Sequence, residues 1–153
     1  MQPDPAMNEE QAISIEQVLL VKKTWRIFRA IDPAIVGDTF YSKLFSENPS
    51  LRRLFPRNMH AQYYKLMEML NTIIGKLDRA NELEAELSVM ATRQAEYGIQ
   101  PAHYKWVGDA LLWTLKQGLG KDWTPNISQA WTDVYVLVAE TMLAAVSPVA
   151  KTK

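Results

Sequence analysis

The sequence predicts an all-α fold of six to eight helices, and three observations support this. Apolar residues recur every three or four positions along six long segments, which is the spacing of helices that bury one face. Proline, glycine and capping residues interrupt these segments where corners are expected. No segment alternates apolar and polar residues in the way that is typical of a strand, and no internal repeat is present.

Composition indicates one globular domain, which we place at residues 14–147 between tails at 1–13 and 148–153. Of 153 residues, 48% are hydrophobic and 22% are charged, which is ordinary for a folded protein. Lys and Arg total 17, as do Asp and Glu, so the basic excess that is typical of nucleic-acid binders is absent. No apolar run approaches the ~20 residues that span a bilayer. The chain has no cysteine, which excludes disulfides and thioether-linked cofactors, and we expect a cytoplasmic protein.

The first three long helices each begin at a recognisable capping residue. Ser14 and Gln17 match a capping box, and Asp32-Pro33 combines a cap with a first-turn proline. Asn58 is predicted to cap the third helix. The apolar faces of the first and third helices are marked by Val18, Val21, Trp25 and Phe28, and by Leu66, Leu70, Ile73 and Leu77.

The second half of the chain contains three more helices. The first of them carries Gln94 and is predicted to end at Gly98, because glycine readily adopts the left-handed conformation that ends helices. Pro101 favours the first turn of the next helix, which runs to residue 120. Thr124 precedes a proline and is predicted to cap the last helix, which we expect Pro148 to end.

The segment from 87 to 119, with the motif RxxxYGIxPxHYxxVGxALLWTL, resembles the F helix, FG corner and G helix of bacterial single-domain globins and flavohaemoglobins. The resemblance covers roughly residues 15–142. GDTFYSKLFSENPSLRRLF is similar to the B–C segment of that family, AQYYKLMEML to its E helix and AWTDVYVLVAETM to its H helix. The resemblance implies a globin fold, with three helices packed over three.

The residue that ligates haem iron in this family is replaced. In the family, a histidine shortly before a Gly-Val/Ile pair binds the iron, whereas here the pair is Gly98-Ile99 and the aligned position holds Gln94. A neutral imidazole is a good donor to iron, and an amide is a poor one. The two histidines of the chain, His60 and His103, are interpreted as surface or capping residues.

The resemblance also implies a flat pocket between the helices. Its expected lining is Tyr41, Phe55, Gln62, Leu66, Gln94, Ile99, Tyr104 and Val107, with Lys65 and Arg93 where family members contact haem propionates. Two simpler alternatives remain open: the apolar members fill an ordinary core, and the two cations are solvated. Tyr41, Gln62 and Gln94 are polar groups predicted to point inward, and buried polar groups need partners. We therefore expect a bound polar ligand or water.

A tetrapyrrole pocket without an iron ligand indicates an open-chain tetrapyrrole, and the chain resembles the bilin-biosynthesis-associated globins that lack the proximal histidine. Our first hypothesis is a non-enzymatic globin that stores, carries or delivers a bilin such as biliverdin or phycocyanobilin. Without cysteine, the bilin would be held noncovalently. The expected partner is this small molecule, with bilin-synthesis enzymes and a second copy of the chain as further candidates, and no nucleic acid or membrane.

Two other hypotheses stay open. One is a globin that binds haem weakly through an unusual ligand, and the other is a ligand-free regulatory globin that works through protein–protein contacts. The sequence contains no nucleophile–base spacing, phosphate-binding glycine loop or metal-ligand cluster. We therefore predict no catalytic residue and no protein-held metal ion.

Overall fold

The computed structural model describes residues 13–147, and every regular element in that range is helical. The six α-helices are α1 (Ile15–Arg29), α2 (Pro33–Glu47), α3 (His60–Gly75), α4 (Ala80–Glu96), α5 (His103–Leu119) and α6 (Pro125–Val146). Short 3-10 helices, Pro49–Leu54 and Gly120–Asp122, follow α2 and α5. The predicted all-α fold is confirmed. Apart from Ile13, the predicted tails and Pro148 lie outside the described residues.

The predicted helix caps at three of the corners are confirmed. At the start of α1, Ser14 Oγ accepts from the Gln17 amide at 3.0 Å, and Gln17 Oε1 accepts from the Ser14 amide at 3.1 Å. Asp32 accepts from the Ala34 amide at 2.9 Å, and Thr124 caps α6 in a similar way. These bonds satisfy amides that would otherwise lack a partner in the first helical turn.

Two helix starts differ from the prediction by one or two residues. Asn58 does not occupy the cap position of α3, but its side chain accepts from the His60 amide at 3.0 Å and so satisfies the first helical donor. Pro101 lies in a turn before α5, which begins at His103. Gly98 has a φ of 100°, which confirms the left-handed residue at this corner.

The core is a single cluster in which α6 packs against α4 and α1, while α2 crosses α3 and packs against α5. Trp25 and Trp131 meet edge to face at 6.5 Å, and Trp131 Nε1 donates to Thr24 Oγ1 at 2.8 Å. In contrast, α4 touches α3 at few points. Side-chain contacts such as that of Gln94 with Met69 therefore bridge these two helices. No described helix is both long and apolar enough to cross a membrane.

Candidate functional site

A polar pair joins α2 to α3 at the predicted pocket. Gln62 Nε2 donates to the hydroxyl oxygen of Tyr41 at 3.2 Å. Tyr41 is 6% exposed, and Gln62 is half-buried. The helix crossing thus brings together two predicted site residues that are 21 positions apart in sequence.

The Tyr41 ring is the centre of an aromatic cluster. Its centroid lies 5.4 Å from that of Phe55, which the sequence had also placed in the pocket. Phe40 lies at 4.8 Å, Phe45 at 5.7 Å and Tyr63 at 6.1 Å from the same ring. Aromatic pairs at these separations stabilise a core beyond the area that they bury. The ring of Tyr41 is therefore held firmly while its hydroxyl stays available for a polar contact.

Burial raises the pKa of the Tyr41 phenol to about 12, and the hydrogen bond from Gln62 offsets this only in part. The phenol is consequently neutral at physiological pH and keeps its proton. In this form it can accept from Gln62 and also donate to a ligand oxygen.

We expect this pKa shift to make the fold sensitive to alkaline pH. Because the folded-state pKa lies above the ordinary value of 10, the stabilisation is complete below about pH 10 and is lost as the pH rises through about 12. The loss should reach about 2–3 kcal/mol. Urea unfolding of the wild type and Tyr41→Phe at several pH values checks this. An equally steep loss in the phenylalanine variant would contradict it.

On the other side of the pocket, Gln94 contacts a methionine of α3. Gln94 Nε2 donates to the Met69 sulfur at 3.7 Å, and both side chains are half-buried. Met69 lies seven positions after Gln62 and three after Leu66, so all three belong to one side of α3. The Met69 side chain thus closes the gap in which a flat ligand would lie against Gln94.

Neither imidazole is placed to replace the missing histidine. His60 lies two positions before Gln62, which sets the two side chains on different faces of α3. Its ring packs against Tyr64 at 5.3 Å. His103 Nδ1 accepts from the Gln100 amide at 3.0 Å. In this conformation the two imidazoles thus contact Tyr64 and the Gln100 amide, and neither forms a hydrogen bond with Gln94.

The polar groups predicted to need a ligand find partners within the protein. Tyr41 pairs with Gln62, and Gln94 pairs with Met69. Within residues 13–147, no buried side-chain nitrogen or oxygen lacks a hydrogen bond. These groups therefore do not by themselves indicate a bound ligand or water in this conformation, since the chain supplies their partners.

The remaining uncharged site residues occupy two environments. Leu66 is 5% exposed and belongs to the core of α3. Ile99, Tyr104 and Val107 are half-buried beside the α4–α5 corner and at the start of α5. Burial raises the pKa of the Tyr104 phenol, while the backbone carbonyl of Tyr104 accepts a short hydrogen bond from the Tyr135 hydroxyl. These residues could form the apolar edge of an opened pocket.

The two predicted cations are exposed and lie in different surroundings. Lys65 is on the outer surface of α3 and forms no ion pair with a described residue. Arg93 lines an open cleft with Lys76, Glu82 and Glu86. Arg93 therefore shares its cleft with two carboxylates rather than with Lys65. Among residues 13–147, no group of three His, Asp or Glu side chains could hold a metal ion.

Sequence reasoning missed Met69, Phe45, Tyr63 and Tyr135. Met69 was predictable from the sequence, because it shares a helical face with Gln62 and Leu66. Tyr63 gave no comparable signal, since its position depends on the close crossing of α2 and α3 at Gly37. Tyr135 bonds to a backbone carbonyl 31 positions away, which no local pattern encodes.

The chain matches curated proteins and a solved structure. A flavohemoprotein of Vibrio cholerae is 28% identical over 131 residues, which cover 84% of this chain and 33% of the relative. A flavohemoprotein of Bacillus subtilis is 27% identical over 82% of this chain and 34% of its own length. The chain thus spans about a third of these two relatives. An anaerobic nitrite reductase of Physcomitrium patens is 25% identical over 86% of this chain and 81% of its own.

A structural comparison supports the same fold. The crystal structure of a hexacoordinated heme protein from an anhydrobiotic tardigrade superposes with a TM-score of 0.77, at 16% identity, over 94% of this chain and 98% of the other. The model of the family described as Globin matches residues 38–142, which is more than half of the chain. This range contains the Tyr41–Gln62 pair and Gln94. The predicted globin fold is confirmed, and the chain belongs to the globin family.

Proposed function

We propose that this globin is a non-enzymatic carrier that binds a linear tetrapyrrole noncovalently between α3 and α4. The proposal rests chiefly on Gln94. A glutamine at this position, with both histidines engaged elsewhere, removes the imidazole that would hold haem iron but keeps a hydrogen-bonding group there. Biliverdin and phycocyanobilin present pyrrole-type nitrogens and lactam oxygens instead of a metal.

The pocket residues have the chemistry that a bilin requires. The amide oxygen of Gln94 can accept from a pyrrole N–H, and the neutral Tyr41 phenol can donate to a lactam oxygen. Phe55, Leu66 and Val107 would provide apolar contacts for the rings. Since the chain has no cysteine, nothing in it can form the thioether bond of a covalently attached bilin.

Binding requires the pocket to open. The Met69 sulfur must leave the Gln94 amide before a flat ligand can take its place. Methionine is suited to this, because it has three rotatable bonds and loses little when it repacks. The backbones of α3 and α4 approach each other closely at few points, so a side-chain movement alone would widen the space between them. We propose the Met69–Gln94 contact as the closed, ligand-free arrangement.

A haem protein with unusual ligation is the second candidate, and the comparisons favour it over the bilin reading. The curated relatives from Vibrio cholerae and Bacillus subtilis are named flavohemoproteins, and the tardigrade structure is described as a hexacoordinated heme protein. In this reading, haem would lie in the same opened pocket without a histidine at position 94. Its binding would be weak, because an amide is a poor iron donor.

Titration with biliverdin tests the first candidate. The bilin absorption bands should shift and acquire circular dichroism on binding, since a protein pocket holds a flexible tetrapyrrole in one chiral conformation. Gln94→Leu should change the absorption spectrum more than the affinity. Arg93→Ala should weaken binding roughly ten- to a hundredfold if its guanidinium pairs with a propionate, since such a bond contributes about 1.5–3 kcal/mol.

Arg26→Ala provides a matched control, because Arg26 is an exposed arginine on α1. It should leave both affinity and spectrum unchanged. If Gln94→Leu, Arg93→Ala and Arg26→Ala all leave biliverdin binding unaltered, then the ligand lies outside the pocket. Absence of any binding, together with tight haem binding by the wild type, would favour the second candidate.

A further inference from the structure

An open cleft lies on the surface where the end of α2 faces the start of α3. Its volume is about 470 Å³, which falls within the range of about 300–1,000 Å³ that is typical of small-molecule sites. Tyr41 contributes to its floor, Phe45 and Tyr63 to its walls, and Arg57 and His60 to its exposed edge. Gln94 and Met69 do not line it, but Tyr41 does, so its floor adjoins the proposed tetrapyrrole site.

The aromatic side chains of the cleft are held in place. Tyr63 stacks on Tyr41 at 29° between ring planes, and Phe45 is tilted by 32° from the same ring. The Tyr63 hydroxyl donates to Asp38 Oδ1 at 3.2 Å, which fixes the outer end of that ring. The cleft therefore offers a small planar ligand preformed aromatic contacts within a lining that is also polar.

Two arginines give the lining of the cleft a positive charge, and the Asp38 carboxylate contacts the cleft through the Tyr63 hydroxyl. Arg52, Arg57 and His60 line it, and no lining residue is Asp or Glu. The Arg52 guanidinium donates to the carbonyl oxygens of Phe55, Pro56 and Arg57 at 3.0–3.2 Å, which holds the loop that carries Arg57. Arg57 forms no ion pair with any residue in the described range. An anion is thus the favoured ligand on a chain with no formal net charge.

The cleft beside Arg93 is of similar size but its charges are balanced. Its volume is about 460 Å³, and its lining includes Lys76 and Arg93 together with Glu82 and Glu86. Lys76 and Glu86 form an ion pair at 3.3 Å. Lys76 is thus paired and Arg93 shares the cleft with two carboxylates, so the cleft presents no comparable attraction to an anion.

We propose that the cleft formed by Tyr41, Tyr63 and Arg57 binds a small planar aromatic anion, a ring that carries a carboxylate or phosphate group. The ring lies against Tyr63 and Phe45, while the Arg57 guanidinium pairs with the anionic group through charge-assisted hydrogen bonds. This is a second ligand site that shares Tyr41 with the proposed tetrapyrrole site, while the residues that contact its ring and its anionic group, Tyr63, Phe45 and Arg57, are not among those proposed to hold a tetrapyrrole.

Titration of the full chain with 2-naphthoate, followed by NMR, tests the proposal. We expect saturable shifts in residues 41–45 and 57–63. The uncharged analogue 2-naphthalenemethanol should bind at least about tenfold more weakly, because it lacks the charge that Arg57 recognises. Inorganic phosphate, which lacks the ring, should also bind more weakly. Equal affinity for naphthoate and the alcohol, or shifts that lie elsewhere, would overturn the proposal.

Two neighbouring arginines give a matched pair of variants. Arg57→Gln should weaken naphthoate binding by about tenfold or more. Arg53→Gln should not, because Arg53 does not line the cleft and its guanidinium donates to the Ser50 carbonyl at 3.3 Å. Both side chains are exposed, so both variants should keep the wild-type circular dichroism spectrum. Equal weakening in the two variants would show that general surface charge, and not this cleft, attracts the ligand.

Discussion

Gln94→His is expected to convert this chain into a haem-binding globin. The substitution restores an imidazole donor at the family's iron-ligating position, and the side chain already points toward α3 through its contact with Met69. Removing a residue that hydrogen-bonds to a metal ligand commonly lowers metal affinity ten- to a hundredfold. Adding the ligand itself should therefore raise haem affinity by at least about a hundredfold. Haem titration followed by absorption spectroscopy should show tighter binding and a histidine-ligated spectrum.

Gln117→His is the matched control, since Gln117 is exposed on α5 and the substitution adds a histidine far from the predicted iron-ligating position. It should leave haem binding weak. The interpretation of Gln94 would be contradicted if the wild-type protein with haem already gave a stable histidine-ligated spectrum and if His103→Ala abolished that spectrum. Such a result would mean that α5 moves His103 into the pocket when haem binds.

Gly37→Ala is expected to destabilise the fold by about 1–3 kcal/mol. A Cβ atom at residue 37 would lie 2.5 Å from Tyr63 Cβ and 2.6 Å from the Tyr63 ring. Tyr63 Cβ is fixed to the α3 backbone, so the clash can be relieved only if α2 and α3 move apart. The same movement would lengthen the Tyr41–Gln62 hydrogen bond. Urea unfolding at neutral pH measures the loss in free energy.

Gly75→Ala is a suitable control because Gly75 is the last residue of α3 and a Cβ there meets no heavy atom within 4 Å. It should be neutral or should stabilise the protein by up to about 1 kcal/mol, as alanine is the better helix former. If both variants lost the same stability, then the close crossing of α2 and α3 would not explain the effect at Gly37.

The fold was predictable from local signals. The capping box at Ser14, the cap at Asp32 and the left-handed Gly98 are each decided by a few neighbouring residues, and the structure has all three. Apolar spacing likewise identified the buried face that carries Leu66 and Leu70. The exact starts of α3 and α5 were less predictable, because the cap of a helix depends on how the preceding loop enters it.

The sequence predicted which residues belong to the site better than it predicted the contacts that they make. Sequence reasoning placed Tyr41, Gln62 and Gln94 in one region, and the structure pairs the first two directly. It did not anticipate that Met69 would bond to Gln94, or that Arg93 would line a cleft together with two glutamates. Long side chains reach several neighbours with little difference in energy, so tertiary packing and not helical periodicity selects the partner.

The most direct test of the central claim is to identify the pigment that the protein selects when haem and a bilin are both present. The chain would be produced in bacterial cells that synthesise haem and biliverdin, purified, and its pigment identified by absorption and by mass spectrometry after solvent extraction. We predict an iron-free bilin that denaturation releases completely, as expected without cysteine. Recovery of haem alone, with no bilin in the purified protein, would contradict this account.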